Sequence, residues 1–209
     1  MPNVTAPAFA LPSRSNPGAQ AGTPSGMVGE FAVSEILGKY ATLTKLGKVF
    51  YTSAIITAPV IFSTAGQLGP MLWNRPGSGV DAHILGIGVS SPTTASGVAG
   101  AISWASNTQA TVPTTATSLT VMNAYSGGGV SAMGGVFSTA TILVAPTNVP
   151  FPLIAVNTGA ITTGSLTSCF QDVGGVFQVS PGCVGYVCAN ATLTSGVFTI
   201  GLLWAELPV

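Results

Sequence analysis

The feature that most constrains this chain is the near absence of charged side chains. Asp, Glu, Lys and Arg make up 5% of its 209 residues, whereas soluble domains carry about 25%. Residues 82–171 contain none of the four, and neither Lys nor Arg occurs after Arg75. Glu, Lys and Gln normally fill the exposed faces of helices. A helical bundle built from this chain would therefore lack a polar face.

Charge and hydropathy argue against two classes of partner. Five basic and five acidic residues give a formal net charge of zero, so no basic patch is available to hold a phosphate backbone, and nucleic acid is not expected as a partner. Mean hydropathy is +0.60, yet no apolar run approaches the roughly 18 residues that a membrane-spanning helix needs. The best run, residues 54–62, contains Thr57 and Pro59. A membrane is not expected either.

The long neutral tract indicates that much of the surface contacts protein. Mixed charge normally keeps soluble proteins apart, whereas the cores of interfaces are depleted of charge. Hydroxyl groups can bond to water or to a neighbouring chain without the cost of desolvating ions. We therefore expect an obligate homo-oligomer. Drift in the composition of a Ser- and Thr-rich extracellular protein is the alternative explanation of the same tract.

Short apolar runs recur along the chain with turn residues between them. From Val49 onward, about ten such runs alternate with clusters of Gly, Pro, Asn and Ser, at intervals of roughly 10 to 15 residues. This spacing is typical of antiparallel sheets that pack face to face or close on themselves. We predict an all-β fold, either an antiparallel β-sandwich or a jelly-roll-like barrel, with an extended N-terminal arm.

The chain is predicted to have two parts. Residues 1–29 carry Pro at positions 2, 7, 12, 17 and 24, and Pro interrupts both helices and strand ladders. We interpret this segment as a Pro- and Gly-rich arm that lies along a neighbour or along its own domain, and residues 30–209 as the β-sandwich domain. Apolar spacing in residues 30–47 fits either a helix or two strands with a turn near Gly38.

The clearest turn signal is Ser180-Pro181-Gly182. Val176, Phe177 and Val179 precede this turn and residues 184–188 follow it, so the segment predicts a hairpin whose two strands pair with each other. The glycines at 127–129 predict a loop and not a phosphate-binding motif, because no Lys-Ser or Lys-Thr follows them.

A single histidine limits the catalytic chemistry that the sequence supports. Asp81 and His83 would share one face of a strand, and Ser90 or Ser91 would be the nearest candidate nucleophile. Neither a nucleophile elbow nor a pair of acids at glycosidase spacing accompanies them. A turn contact by Asp81 and a polar rim position for His83 account for the same residues. We predict no enzymatic activity and no catalytic residues.

Metal and cofactor sites are not predicted. Cys183 and Cys188 are spaced C-x4-C, Cys169 is the other thiol and His83 the sole imidazole, whereas zinc sites need four ligands of these types brought together. We interpret the cysteines as small buried hydrophobic residues, with a Cys183–Cys188 disulfide as the alternative. The tryptophans are spread over the predicted strands and are expected to anchor the core: Trp73, Trp104 and Trp204.

Two segments carry a resemblance to a known class of protein. VGEFAVSEILGKYATLTKLGKVFYTS at residues 28–53, followed by LWNRPGSGVDAHILGIGVS at residues 72–90, resembles structural virion proteins of tailed bacteriophages over about residues 26–110. This resemblance implies a non-enzymatic particle component located in the virion, such as a capsid decoration or cement protein, a head fibre or a tail accessory subunit. The implied partners are copies of itself, with three-fold symmetry a natural expectation, and other virion proteins such as a major capsid protein.

Two other functions remain open on the sequence. One is a receptor- or glycan-binding β-sandwich, in which Ser, Thr, Asn and exposed aromatic residues such as Trp104 or Tyr125 would make the contacts. The other is a hydrolase that uses Asp81, His83 and a serine.

Overall fold

The structure of the chain is a computed structural model. It describes residues 38–57, 60–91, 100–126, 131–143, 145, 150–156, 167–190 and 197–209. The chain divides into two units, residues 1–39 and 40–209. All described helices and strands belong to the second unit. The arm predicted for residues 1–29 lies outside the described residues, as does its predicted boundary with the domain.

The described elements are one short helix and eleven strands. The helix is α1 (Ala41–Lys45), and the strands in chain order are β1 (Val49–Thr57), β2 (Gly66–Asn74), β3 (Val80–Ser91), β4 (Gly100–Thr108), β5 (Thr114–Ser118), β6 (Met122–Asn123), β7 (Gly135–Thr141), β8 (Phe151–Val156), β9 (Thr167–Val179), β10 (Cys183–Ala189) and β11 (Val197–Pro208).

The strands form two antiparallel sheets that pack against each other. The first sheet has the order β6-β1-β11-β3-β9, and the second sheet has the order β5-β7-β2-β10-β4-β8. The first four strands pair with the last four in reverse order, β1 with β11, β2 with β10, β3 with β9 and β4 with β8. Successive pairs lie in alternate sheets, which is the jelly-roll arrangement of a β-sandwich. The predicted all-β sandwich class is confirmed.

Strand β1 shows how the sequence sets the two layers. Its side chains alternate between buried and exposed from Phe50 to Thr57, because successive residues of a strand point to opposite faces of the sheet. The buried set faces the second sheet, and the ring of Phe50 lies 5.9 Å from the ring of Trp204 on β11. Burying an apolar side chain of this kind contributes roughly 1.5–3 kcal/mol. The core therefore lies between the two sheets.

Strands β5 to β7 lie between β4 and β8 in the chain and widen both sheets on the same side. β7 pairs with β2, β5 pairs with β7, and the two-residue β6 pairs with β1. The chain crosses from one sheet to the other within this insertion. The Leu119 amide donates to the Val136 carbonyl in the second sheet (2.8 Å), and the Ala124 amide donates to the Val49 carbonyl in the first (2.9 Å).

The predicted hairpin at residues 176–188 is wrong. The turn exists, and the Cys183 amide donates to the Ser180 carbonyl (3.0 Å), but β9 pairs with β3 in the first sheet while β10 pairs with β2 and β4 in the second. β10 is buried at nearly every position, so it takes a central place with a partner on each side. β9 is half exposed and lies at an edge. The turn therefore crosses between sheets.

Two other expectations are resolved by the structure. Of the alternatives for residues 30–47, the described part contains the five-residue helix α1 and no strand before Val49, and residues 30–37 lie outside the described residues. The run TSLTVMNAY at residues 117–125 is one of the apolar runs predicted to be strands, but it contains only the end of β5 and the short β6, because the crossing between the sheets occurs there.

Gly185 offers a test of this packing. A Cβ built at Gly185 on β10 would collide with the Trp104 ring and lie 2.7 Å from Cγ2 of Val179. We expect Gly185→Ala to destabilise the fold by about 1–3 kcal/mol, as overpacking of a filled core does. The measurement is urea unfolding followed by tryptophan fluorescence. Gly66→Ala is the matched control because no atom lies within 4 Å of its added Cβ, and equal stability of the two variants would contradict the packing described.

Candidate functional site: the outer face of the first sheet

The middle of the second sheet is buried also on the side that faces away from the core. Val184, Tyr186 and Cys188 alternate along β10 with the residues that enter the core, and all three are fully buried. They cluster with Met71 and pack against other residues that include Phe62. This face is therefore not available as a binding surface.

The outer face of the first sheet is open over much of its area. One end is covered by α1 and the residue before it: Tyr40 and Leu43 pack on a cluster that contains Val49. Beyond that end the face is exposed, and Tyr51 and Ile55 on β1 keep 45% and 74% of their surface accessible. Contiguous patches of exposed apolar side chains usually mark interaction sites.

A shallow groove of about 330 Å³ runs across this face. Its floor contains Gly88 and Gly201, which are neighbours on β3 and β11. Phe170 on β9 forms one wall; its ring lies over Gly86, where a Cβ would collide with it, and 61% of its surface is accessible. Three hydroxyl-bearing side chains also line the groove: Ser53, Ser90 and Thr199.

The groove is electrically neutral. None of its lining residues is an acid, a Lys or an Arg. The nearest carboxylate on the same face is Asp172, two residues from Phe170, and its Oδ1 accepts hydrogen bonds from the Tyr40 hydroxyl (2.7 Å) and the Gly174 amide (2.9 Å). Recognition in this groove would depend on an aromatic ring, hydroxyl groups and shape, and not on ion pairing.

Among the described residues, Glu206 is a buried acid with a structural role. Its carboxylate accepts hydrogen bonds from the amides of Met133 (2.8 Å) and Gly134 (3.0 Å) and from Nε1 of Trp204 (3.3 Å). These donors are neutral and fix the segment before β7 to β11. The carboxylate is therefore used for positioning the chain, and it does not add charge to the surface.

A larger cavity of about 550 Å³ opens at the side of the sandwich near β6 and β7. Its walls are core side chains such as Phe50 and Val136 together with backbone and short polar residues. None of its lining residues is a His, Cys, Asp, Glu, Lys, Arg or Tyr, so the cavity offers no side chain for acid–base catalysis.

The structure separates the residues that a hydrolase would need. His83 and Ser90 both lie on β3, about 20 Å apart along the strand. Asp81 and His83 share the outer face, but among the described residues no hydrogen bond joins them, and Oδ1 of Asp81 is buried without a hydrogen-bond partner. The side chain of Ser91 lies outside the described residues. No serine is therefore brought to the histidine by this strand.

The cysteines are free thiols. Cys183 and Cys188 lie on one continuous strand, about 16 Å apart, whereas a disulfide needs Cα atoms within about 7 Å. The alternative of a Cys183–Cys188 disulfide is wrong because β10 contains no turn. Within the described part of the chain, no three His, Cys, Asp or Glu residues are grouped in a way that could hold a metal ion.

The aromatic residues are only partly as expected. Trp104 and Trp204 are buried in the core, and the half-buried Trp73 donates from Nε1 to the Gln109 carbonyl (2.8 Å). The prediction that Trp104 anchors the core is therefore confirmed, and its use as a glycan contact is wrong. Tyr125, the other aromatic residue considered for a glycan contact, is exposed. Phe170 was not expected at a binding surface, although its place two residues before Asp172 puts it on the face of β9 that carries a polar side chain.

No family model, curated protein or solved structure matches the chain. Among the described residues, the single helix is much too short to cross a membrane.

The buried cluster on the second sheet predicts a loss of stability at alkaline pH. Burial raises the pKa of the Cys188 thiol from 9.0 to about 12; burial, and to a lesser extent Cys188, also raise the pKa of Tyr186. The unfolded chain ionises Cys188 near pH 9 and the folded chain does not, so its contribution to stability is complete below pH 9 and is lost between pH 9 and about 12.

We expect the free energy of unfolding to decline over this interval when urea titrations are run at a series of pH values. Cys188→Ala should lower the slope and leave the part due to Tyr186. A wild-type curve that stays flat to pH 12 would show that these two groups are not buried in solution.

Proposed function

We propose that this protein is a non-enzymatic structural component of a virus particle, most specifically a phage capsid decoration or cement protein that stabilises the shell through contacts between subunits. In this proposal the chain acts in the virion as a homo-oligomer bound to other virion proteins, such as a major capsid protein. The observation that carries the proposal is the neutral, partly apolar outer face of the first sheet on a jelly-roll domain.

The fold supports this proposal without deciding it. Jelly rolls recur in viral capsid subunits, but they also occur in lectins and cupins, and a fold hosts many functions. The surface adds weight to the first of these. Exposed apolar residues such as Ile55 and Phe170 stand on a face with few charges, and such faces are usual where subunits stay permanently in contact.

The Pro-rich arm gives a second line of support. Residues 1–29 are long enough to reach a neighbouring subunit, since an extended chain spans about 3.1 Å per residue. An arm laid across a neighbour adds contacts by raising the effective concentration of each subunit near the next. A cement protein needs many such weak contacts, repeated by the symmetry of the lattice.

The second candidate function is binding of a neutral glycan by a fibre or tail module. The specific observation in its favour is the groove described above, in which the exposed ring of Phe170 stands beside three hydroxyl-bearing side chains. An aromatic face with neutral hydrogen-bonding groups suits an uncharged sugar ring, which presents both C–H groups and hydroxyls.

Deleting residues 1–25 tests the particle role. We expect the truncated chain to keep its fold, seen as an unchanged thermal unfolding transition, and to be incorporated into particles in smaller amounts, because the arm contacts are lost. The copy number per purified particle measures this. A variant in which residues 1–25 are replaced by a Gly/Ser linker of equal length controls for reach, and wild-type incorporation of the truncated chain would contradict the role of the arm.

The groove is tested by a glycan array with the isolated protein. If the second candidate is right, the protein binds a neutral glycan, and Phe170→Ala abolishes the signal because the stacking face is removed. Val176→Ala is the matched control, since Val176 is 81% exposed on the same strand and does not line the groove. An array without any signal would count against glycan binding and leave the particle role as proposed.

A further inference from the structure

The edge strands of the two sheets differ in how well they are protected against pairing with another chain. β9 has a break in its pairing with β3 next to Asp172, and Gly174 and Gly175 adopt positive φ there. β8 contains Pro152, and β5 has register shifts with Thr115 at φ 51°. Bulges, Pro and irregular edges are the usual devices that prevent edge-to-edge association.

The edge of β1 has none of these devices. Its nine residues, VFYTSAIIT, contain no Pro, Gly or charged side chain, and they pair with β11 without any register shift. On the other side β6 pairs only with Phe50 and Tyr51. After Tyr51, no described residue forms a ladder with this edge.

The direction of the backbone groups on β1 follows from two hydrogen bonds. The Lys48 carbonyl accepts from the Glu206 amide beside β11, and the Val49 carbonyl accepts from the Ala124 amide on the β6 side. Because these directions alternate along a strand, every second residue from Val49 faces the β6 side. Beyond the end of β6, the amides and carbonyls of three residues therefore face this edge and have no ladder partner in the part of the chain that the structure describes: Ser53, Ile55 and Thr57.

These three residues also have exposed side chains on the outer face, and their order is self-complementary. If a second copy pairs antiparallel about a two-fold axis at Ile55, then Ile55 lies opposite Ile55 of the other copy and Ser53 lies opposite Thr57. β-branched pairs and Ser–Thr pairs stabilise antiparallel strands. Each of these pairs exchanges both backbone hydrogen bonds, as hydrogen-bonded pairs do in such a ladder.

From this geometry we propose that the open edge of β1, Ser53 to Thr57, is a homodimer contact in which two first sheets join into one continuous sheet. The contact is isologous, because each copy offers the same residues to the other. The absence of charge along the edge removes the repulsion that identical charged strands would have. The contact involves β1 alone. A failed test of this contact can therefore be distinguished from a failure of the proposed particle role.

Disulfide trapping tests the register directly. In a Cys169→Ser background, Ile55→Cys should give a covalent dimer under mild oxidation, because residues directly opposite in a hydrogen-bonded pair have Cα atoms about 5.5 Å apart, within the range that a disulfide spans. Tyr51→Cys is the matched control: it lies on the same face of β1, but in the proposed register its copies are about 26 Å apart. The parent without either substitution is the second control.

The expected result is a covalent dimer for Ile55→Cys and none for the two controls. Ile55→Cys that folds, reacts with a maleimide and stays a single chain would overturn the proposal. Ile55→Cys would also stay a single chain if a neighbour's arm, and not a second β1, occupied the edge, because residues 1–29 contain no cysteine.

A charge variant gives a reading without oxidation. Ile55→Lys places two like charges across the axis, and we expect the dimer to dissociate at concentrations about tenfold higher than the wild type does, or more. Tyr51→Lys adds the same charge where β6 already covers the edge, and it should keep the wild-type mass in light scattering coupled to gel filtration. Equal association of the two variants would overturn the proposal.

Discussion

The fold depends on the pairing of the first half of the domain with the second half in reverse order. β1 with β11 and β3 with β11 form ladders between residues that are far apart in the chain, and these ladders bring Phe50 against Trp204 in the core. Since neighbouring pairs alternate between the sheets, neither sheet can form its apolar inner face without the other. Folding rates fall when contacts are this distant in sequence, so burial between the sheets has to offset the cost of closing long loops.

The two sheets differ in how far their outer faces are buried. The central strand β10 of the second sheet is buried on both faces, and the outer cluster around it includes Tyr186, whose hydroxyl lacks a hydrogen-bond partner. The first sheet keeps an open outer face, where glycines form the floor of a groove and Phe170 forms a wall. A domain with so few surface charges has little electrostatic protection against association. Its tendency to associate is therefore expected to depend on this face and on the β1 edge.

The proposed particle role and the proposed edge contact share Ser53 and Ile55 on the same face. The groove lies mainly over β11 and β3 and reaches Ser53 of β1, whereas the edge contact lies along β1 beyond Tyr51. A two-fold contact at the edge would leave the grooves of both copies accessible on one extended surface. Such an arrangement would let a lattice component join its own copies and still present a neutral surface to a capsid protein or a glycan.

The sequence by itself determined the class of fold and the chemistry of the surface, because alternation along strands such as β1, frequent turn residues and missing charges are local properties. It also indicated the turn at Ser180–Gly182. Only the tertiary structure decided that this turn joins two sheets, that Trp104 is buried while Phe170 is exposed, and that His83 and Ser90 are far apart. The physical reason is that a turn reverses the chain without choosing a partner strand, and the partner is chosen by burial across the whole domain, which involves residues distant in sequence.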